Sequence, residues 1–242
     1  MATLISRSVA GTGGAAVDGV LSRTGTDQTL SAIRAGAGTA TDATSAEVSY
    51  VRLQASTTTD QFQGNVQHGM TFPGLSAAVG GTVTAATLQF YVTDITSYND
   101  LSGNASANSA GVLVLWTPAA TNSLENADYN DFGSTEFGRS AKQDTLTAGA
   151  LNSITINASG LTAIQSAVDG AGIIGLGLVI GWIFDNTLTG LTHSNNGLQG
   201  WLGNDADVAV EAKTPVLTIT YTPVASSKSP SGGVAIGAPM MY

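Results

Sequence analysis

Residues 173–184 read IIGLGLVIGWIF, and the two parities of this run are unlike one another. Ile174, Leu176, Leu178, Ile180, Trp182 and Phe184 form one set of large apolar side chains; Ile173, Gly175, Gly177, Val179, Gly181 and Ile183 form the other. Period-two alternation puts the two sets on opposite faces of a pleated strand. Glycine weakens a strand interior unless another backbone or a ring has to come close. The run therefore predicts a long central strand, tightly covered on its glycine side. It is too short for a membrane helix of about 20 apolar residues.

The same alternation recurs on either side. In residues 87–93, Leu88, Phe90 and Val92 oppose Thr87, Gln89, Tyr91 and Thr93. In residues 217–222, Leu217, Ile219 and Tyr221 oppose Thr218, Thr220 and Thr222. Residues 47–56 alternate as well, and residues 111–116 (GVLVLW) are apolar on both faces, as in a strand inside a sandwich. Shorter strands are expected at 3–8, 17–21, 66–72, 153–157 and 208–211. One helix is expected: Ser159 caps a segment with Leu161, Ile164, Gln165 and Val168 on one face, ending at Gly170. Strands separated by Gly, Asn, Asp, Ser and Thr turns predict an all-β fold. The expectation is an antiparallel β-sandwich of jelly-roll type, with about ten strands, one short helix and extended terminal arms. Its divisions are residues 1–46 (N-terminal arm and first strands), 47–223 (sandwich core) and 224–242 (C-terminal docking tail).

Composition narrows the function classes. Only 10% of the 242 residues are charged, against a usual ~25%, and 30 are glycine. That profile excludes a coiled coil or helical bundle, and the absence of cysteine excludes a disulfide scaffold or a Cys-ligated metal. Eight Lys and Arg face seventeen Asp and Glu, for a net charge of −9, with no basic cluster to neutralise phosphates. No nucleic acid and no membrane insertion are expected as partners. The opening MATLISRSVAG lacks the charged and apolar regions of a signal peptide. A cysteine-free chain suits assembly in cytoplasm followed by exposure outside.

Several segments carry a family resemblance in order. They are residues 50–72 (YVRLQASTTTDQFQGNVQHGMTF), 84–92 (TAATLQFYV), 116–133 (WTPAATNSLENADYNDFG), 154–164 (ITINASGLTAI) and 214–223 (TPVLTITYTP). Together they resemble a jelly-roll family of phage structural and bacterial surface proteins, related to DNRLRE-type domains and carbohydrate-binding-module sandwiches. In such domains the segment matching 66–72 often reads Arg-Gly, an apolar strand, then Phe-Asp. Here His68 and Gly69 precede Met70, and Pro73 follows Phe72, so no ligand role transfers to that strand. The resemblance implies a fold and a setting, an accessory or display module on a virion or cell surface, and no chemistry.

Residues with chemical potential are few. His68 falls on a strand and His193 in a polar loop, neither in a hydrolase or metalloprotease motif. The GTGG run at 11–14 lacks the strand–loop–helix setting and the G-K-[ST] of a phosphate loop. Calcium takes six to eight oxygens, and two acidic loops offer part of such a shell: Asp128, Asn130 and Asp131 in one, Asn204, Asp205 and Asp207 in the other. The ordinary role of these residues is to bond nearby backbone in a polar turn. Trp201, Tyr129 and Tyr98 lie in loop-like segments and are the candidates for stacking a sugar; Trp116 and Trp182 lie on strands and suit the core. Met240, Met241 and Tyr242 end a tail that passes through a Ser/Pro/Gly linker and suit docking on a neighbouring subunit.

These readings converge on a non-enzymatic structural protein of a tailed-phage virion, a capsid decoration (cement) or tail-fibre component. It would be assembled in host cytoplasm, displayed on the virion surface and held by other virion proteins, with a homotrimer favoured by three-fold particle symmetry. The alternative is a module that binds carbohydrate or a host receptor through loops at one end of the sandwich. A glycosidase would need two carboxylates facing across a sugar, a pairing that sequence does not display.

Overall fold

The computed structural model describes residues 1–8, 17–42, 51–92, 110–142, 145–186, 198–199 and 214–224. In chain order its strands are β1 (Ala2–Arg7), β2 (Asp18–Gln28), β3 (Ala40–Asp42), β4 (Arg52–Ala55), β5 (Phe62–Phe72) and β6 (Thr82–Val92). Then follow β7 (Gly111–Trp116), β8 (Phe132–Arg139), β9 (Ala150–Thr155), β10 (Ile174–Ile180), β11 (Leu198–Gln199) and β12 (Val216–Thr222). The helices are α1 (Leu30–Arg34), α2 (Ala158–Asp169) and α3 (Gly181–Asp185), and 3₁₀ turns occur at Leu75–Ala78 and Asn126–Asn130. The protein is mostly β, built from two antiparallel sheets.

The smaller sheet has the order β1-β12-β6-β9. Its register aligns Ser6, Leu217, Leu88 and Ile154 in one transverse row and Leu4, Ile219 and Ala86 in the next. These rows point inward, and Leu88, Ile154, Leu217 and Ile219 have no exposed surface. The larger sheet has eight strands centred on β5. One edge of β5 carries β2 along its length, and the other is divided between β4 and β10. Leu176, Leu178 and Ile180 of β10, Met70 and Phe72 of β5 and Leu113 of β7 face the smaller sheet and join its inner rows in one apolar cluster. Burial of such rows on both inner faces is the main stabilising term of a sandwich.

A buried polar pair interrupts this apolar side. Asp18 pairs with Met70 and Val20 with His68, so the Asp18 carboxylate and the His68 ring are diagonal neighbours on one face. His68 Nε2 contacts Asp18 Oδ1, and both side chains are about 1% exposed. His68 is therefore a core residue, and β2 is an integral strand of the larger sheet.

The glycine side of β10 is closed by rings. An added Cβ at Gly69 of β5 would meet the Trp116 ring at 2.8 Å; one at Gly177 would meet the Phe132 ring, and one at Gly175 the Trp116 carbonyl. Trp116 and Phe132 stack with centroids 5.8 Å apart and planes at 30°. The tight cover expected from the sequence is this aromatic pair. The strand is shorter than expected, however. β10 ends at Ile180, where its partner β7 begins at Gly111 and no ladder remains. Gly181 N donates to Ala110 O at 2.9 Å, and the chain turns into α3, burying Trp182 and Ile183.

α2 lies where the expected helix was drawn, but its cap is Asn157 and not Ser159. Asn157 Oδ1 accepts from Gly160 N at 3.1 Å and Nδ2 donates to Glu136 O at 2.8 Å. Its backbone N donates to Phe137 O at 2.7 Å. One residue thus caps the helix and ties the end of β9 to β8, an edge strand of the other sheet.

The glycine contacts make a paired prediction. Gly177→Ala drives a methyl into the Phe132 ring and should lower unfolding free energy by about 1–3 kcal/mol in urea titration. Gly64→Ala, on neighbouring β5 with its nearest atom at 3.6 Å, should change it by less than about 0.5 kcal/mol.

Candidate functional site

The outer face of the larger sheet carries a polar column on β5. Asn65, Gln67 and Thr71 share one parity with Gly69, and all three polar residues are buried. On an open sheet such a column would face water. Here residues 117–131 lie over it and bond down onto it. Thr71 Oγ1 accepts from Val17 N at 2.7 Å and donates to Thr121 O at 3.0 Å. Trp116 Nε1 donates to Asp128 O at 3.2 Å. Asn65 Nδ2 donates to the Tyr129 hydroxyl at 2.6 Å, and that hydroxyl donates to Ile33 O at 2.7 Å.

The roof is held in shape by Asp128, which is fully buried. Its Oδ1 accepts from Ala119 N at 3.0 Å and its Oδ2 from Glu125 N at 2.8 Å. Glu125 in turn accepts from the Asp128 backbone, a capping box around the 3₁₀ turn. Asp131 is pushed above the usual carboxylate range, first by desolvation and then by the neighbouring Asp128 charge. Both Asp128 oxygens are thus engaged by backbone donors. Among the described residues no three of His, Cys, Asp and Glu gather as a metal site.

Beside the roof lies a concavity of about 180 Å³. α1 contributes Arg34 and β5 contributes Gln67. Tyr129, Asn130, Phe132, Gly133 and Ser134 come from the roof and the start of β8. Val179, Ile183 and Phe184 come from the end of β10 and α3. Gln67 is only 4% exposed. Arg34 is exposed and has no ion pair among the described residues. The α3 wall is anchored from outside. Arg139 of β8 grips Asp185 through two hydrogen bonds of 2.9 Å each, binds Glu136 at 2.8 Å, and lies 5.9 Å from the Phe184 ring centre. The Asp185 and then the Glu136 bonds hold the Arg139 guanidinium still more firmly protonated.

The sequence-derived candidates distribute unevenly. Asp128, Tyr129, Asn130 and Asp131 fall together in the roof. Tyr129 is 1% exposed; packed with Val17, Leu21 and Trp116, its ring offers no free face for stacking, although its edge reaches the concavity. Trp116 and Trp182 are core residues, as expected. Trp201, Tyr98, His193, Asn204, Asp205, Asp207, Met240, Met241 and Tyr242 lie outside the described residues. Sequence reasoning missed Arg34, Asn65 and Gln67. Their signal was the polar column of QGNVQHGMT, whose parity reads as a wet face until a roof is supplied. No family model matches the chain, and no curated protein matches it.

The Tyr129 hydroxyl generates two linked predictions. Tyr129→Phe leaves the Asn65 amide and the Ile33 carbonyl buried without their partner and should cost about 1–3 kcal/mol in denaturant unfolding. Burial raises the Tyr129 phenol above 10, outweighing the Asn65 and Gln67 hydrogen bonds that lower it. The unfolded phenol ionises near pH 10 while the folded one keeps its proton. The stability it confers is complete below that pH and declines as pH rises toward the folded value. Melting temperature measured between pH 8 and 11 should therefore fall more steeply in the native protein than in Tyr129→Phe.

Proposed function

We propose that the chain is a non-enzymatic structural module of a tailed-phage particle: a jelly-roll β-sandwich on the virion surface, either capsid decoration or tail-associated, that acts through contacts between subunits. The observation that carries this is the outer face of the smaller sheet. Ile5, Thr218, Thr87 and Thr155 form one outward row; Arg7, Val216, Gln89 and Ser153 form the next; Thr3, Thr220 and Ala85 a third. Tyr91 and Leu151 extend it. Among these outward positions there is no carboxylate, in a chain of net charge −9. Copies that repel one another elsewhere can approach here. Ile5, on edge strand β1, is 59% exposed, and Leu151, on edge strand β9, is 43% exposed.

The partner that fits this face is a second copy of the chain, arranged about a three-fold axis as a homotrimer. Strand spacing and rise make the face roughly 20 Å on a side, about half the ~800 Å² per partner of a standard interface. The remainder is assigned to the β1 edge and to the tail after Val224, whose end, Met240, Met241 and Tyr242, suits docking. A second reading, binding of carbohydrate or a host receptor, is favoured by the concavity beside the roof.

Light scattering and native mass spectrometry of the full chain should give a trimer. Ile5→Asp combined with Thr87→Glu should yield a monomer with an unchanged melting temperature, and removal of residues 229–242 should weaken assembly. A native protein that stays monomeric and has no affinity for virion components would overturn the proposal.

A further inference from the structure

We infer that the concavity beside the roof binds a single sugar-acid ring, a pyranose bearing a carboxylate. This deepens the second reading above and is independent of how subunits assemble. Its volume of about 180 Å³ falls below the roughly 300–1,000 Å³ of drug-sized sites, so one ring is accommodated and a chain of rings is not. Its lining is divided by chemistry. Phe132, Val179, Ile183 and Phe184 form an apolar wall for the C–H face of a ring. Gln67, Asn130 and Ser134 supply neutral donors and acceptors for hydroxyl groups. Arg34 supplies the positive charge.

Two features make this a built site and not a surface dimple. The first is Gln67. It is 4% exposed yet lines the cavity beside Tyr129. A carboxamide held that deep orients a ligand without reorganising. The second is charge. The chain has seventeen acidic residues and eight basic ones, yet among the described residues no carboxylate lines the cavity, and Arg34, the one cation among them, has no ion pair. A guanidinium so placed donates two N–H bonds to the oxygens of a carboxylate. An aromatic acid would satisfy Arg34 and the apolar wall but make no use of Gln67, Asn130 and Ser134. A neutral sugar would leave Arg34 unused.

The test is calorimetric titration of the full chain with D-glucuronate, D-glucose and benzoate. Saturable binding of glucuronate is expected, at least tenfold tighter than glucose or benzoate. Arg34 is exposed, so Arg34→Ala should fold normally and weaken glucuronate binding at least tenfold while leaving glucose unaffected. Ser134→Phe, at the exposed rim, should block access to every ligand without touching the core. If the protein binds glucose as tightly as glucuronate, or if Arg34→Ala binds glucuronate unchanged, the sugar-acid assignment is overturned while sugar binding in general stands. If none of the three ligands binds below about 10 mM, this site is overturned; a hit on a glycan array would then support the second reading elsewhere on the molecule. Light scattering in the same samples reports assembly separately.

Discussion

The structure depends on rings lying flat against a sheet where side chains are missing. Trp116 and Phe132 can approach β5 and β10 only because Gly69 and Gly177 present no Cβ. Once seated, Trp116 fixes the chain that follows it. Its indole N–H reaches the Asp128 carbonyl, and the capping box at Glu125 and Asp128 then sets the path of the roof. The roof in turn delivers Tyr129 to Asn65. The concavity exists because this roof stops short of α3, leaving Gln67 at its margin. A methyl group at either glycine acts on all of these together, because interiors at this packing density have no space to give.

A second constraint closes the sandwich at its side. Two sheets about 10 Å apart leave open flanks, and backbone groups there need partners. Asn157, two residues past the end of β9, resolves this by committing its side chain and its backbone N–H to β8 and to α2. Gly138 and Gly160 permit the approach: an added Cβ would meet Ile154 at 2.7 Å at the first and the Phe137 side chain at 2.9 Å at the second. The helix is thus a plug at the flank, with Ile164 and Val168 facing the core.

The parts of this arrangement that were legible in the sequence are those governed by period two. The inner rows of β6, β10 and β12 follow from alternation alone, and Gly175 and Gly177, of one parity, announced the close cover by the Trp116 backbone and the Phe132 ring. The limit of that logic is α3. Trp182 and Phe184 continue the alternation of β10, yet they lie on a helical turn, because what ends a strand is the loss of a partner and not a change in hydropathy. β8 escaped for the opposite reason. FGSTEFGR has one glycine and three polar side chains between its rings, and only pairing with β7 makes it a strand. The site was the least legible part. Asn65 and Gln67 look solvent-facing by pattern, and their burial comes from a segment more than fifty residues away. Tyr129 was singled out as an exposed ring, and it is buried because Val17, Leu21 and Trp116 surround it.

The two outer faces of the sandwich divide the surface by chemistry. One, on the smaller sheet, is rich in threonine, with no carboxylate among its described outward positions. The other, on the larger sheet, is roofed, with a small cavity and an arginine that has no ion pair among the described residues. They lie on opposite sides of the apolar layer. A neighbouring subunit seated on the first face therefore leaves the second open to solvent, and a ligand in the cavity touches no strand of the smaller sheet. In the proposed assembly of a chain of net charge −9, repulsion between copies is lowered where the contact is made through the threonine face. Within that proposed assembly the asymmetry favours one orientation over others, and in that orientation the arginine-bearing cavity faces away from the subunit contact.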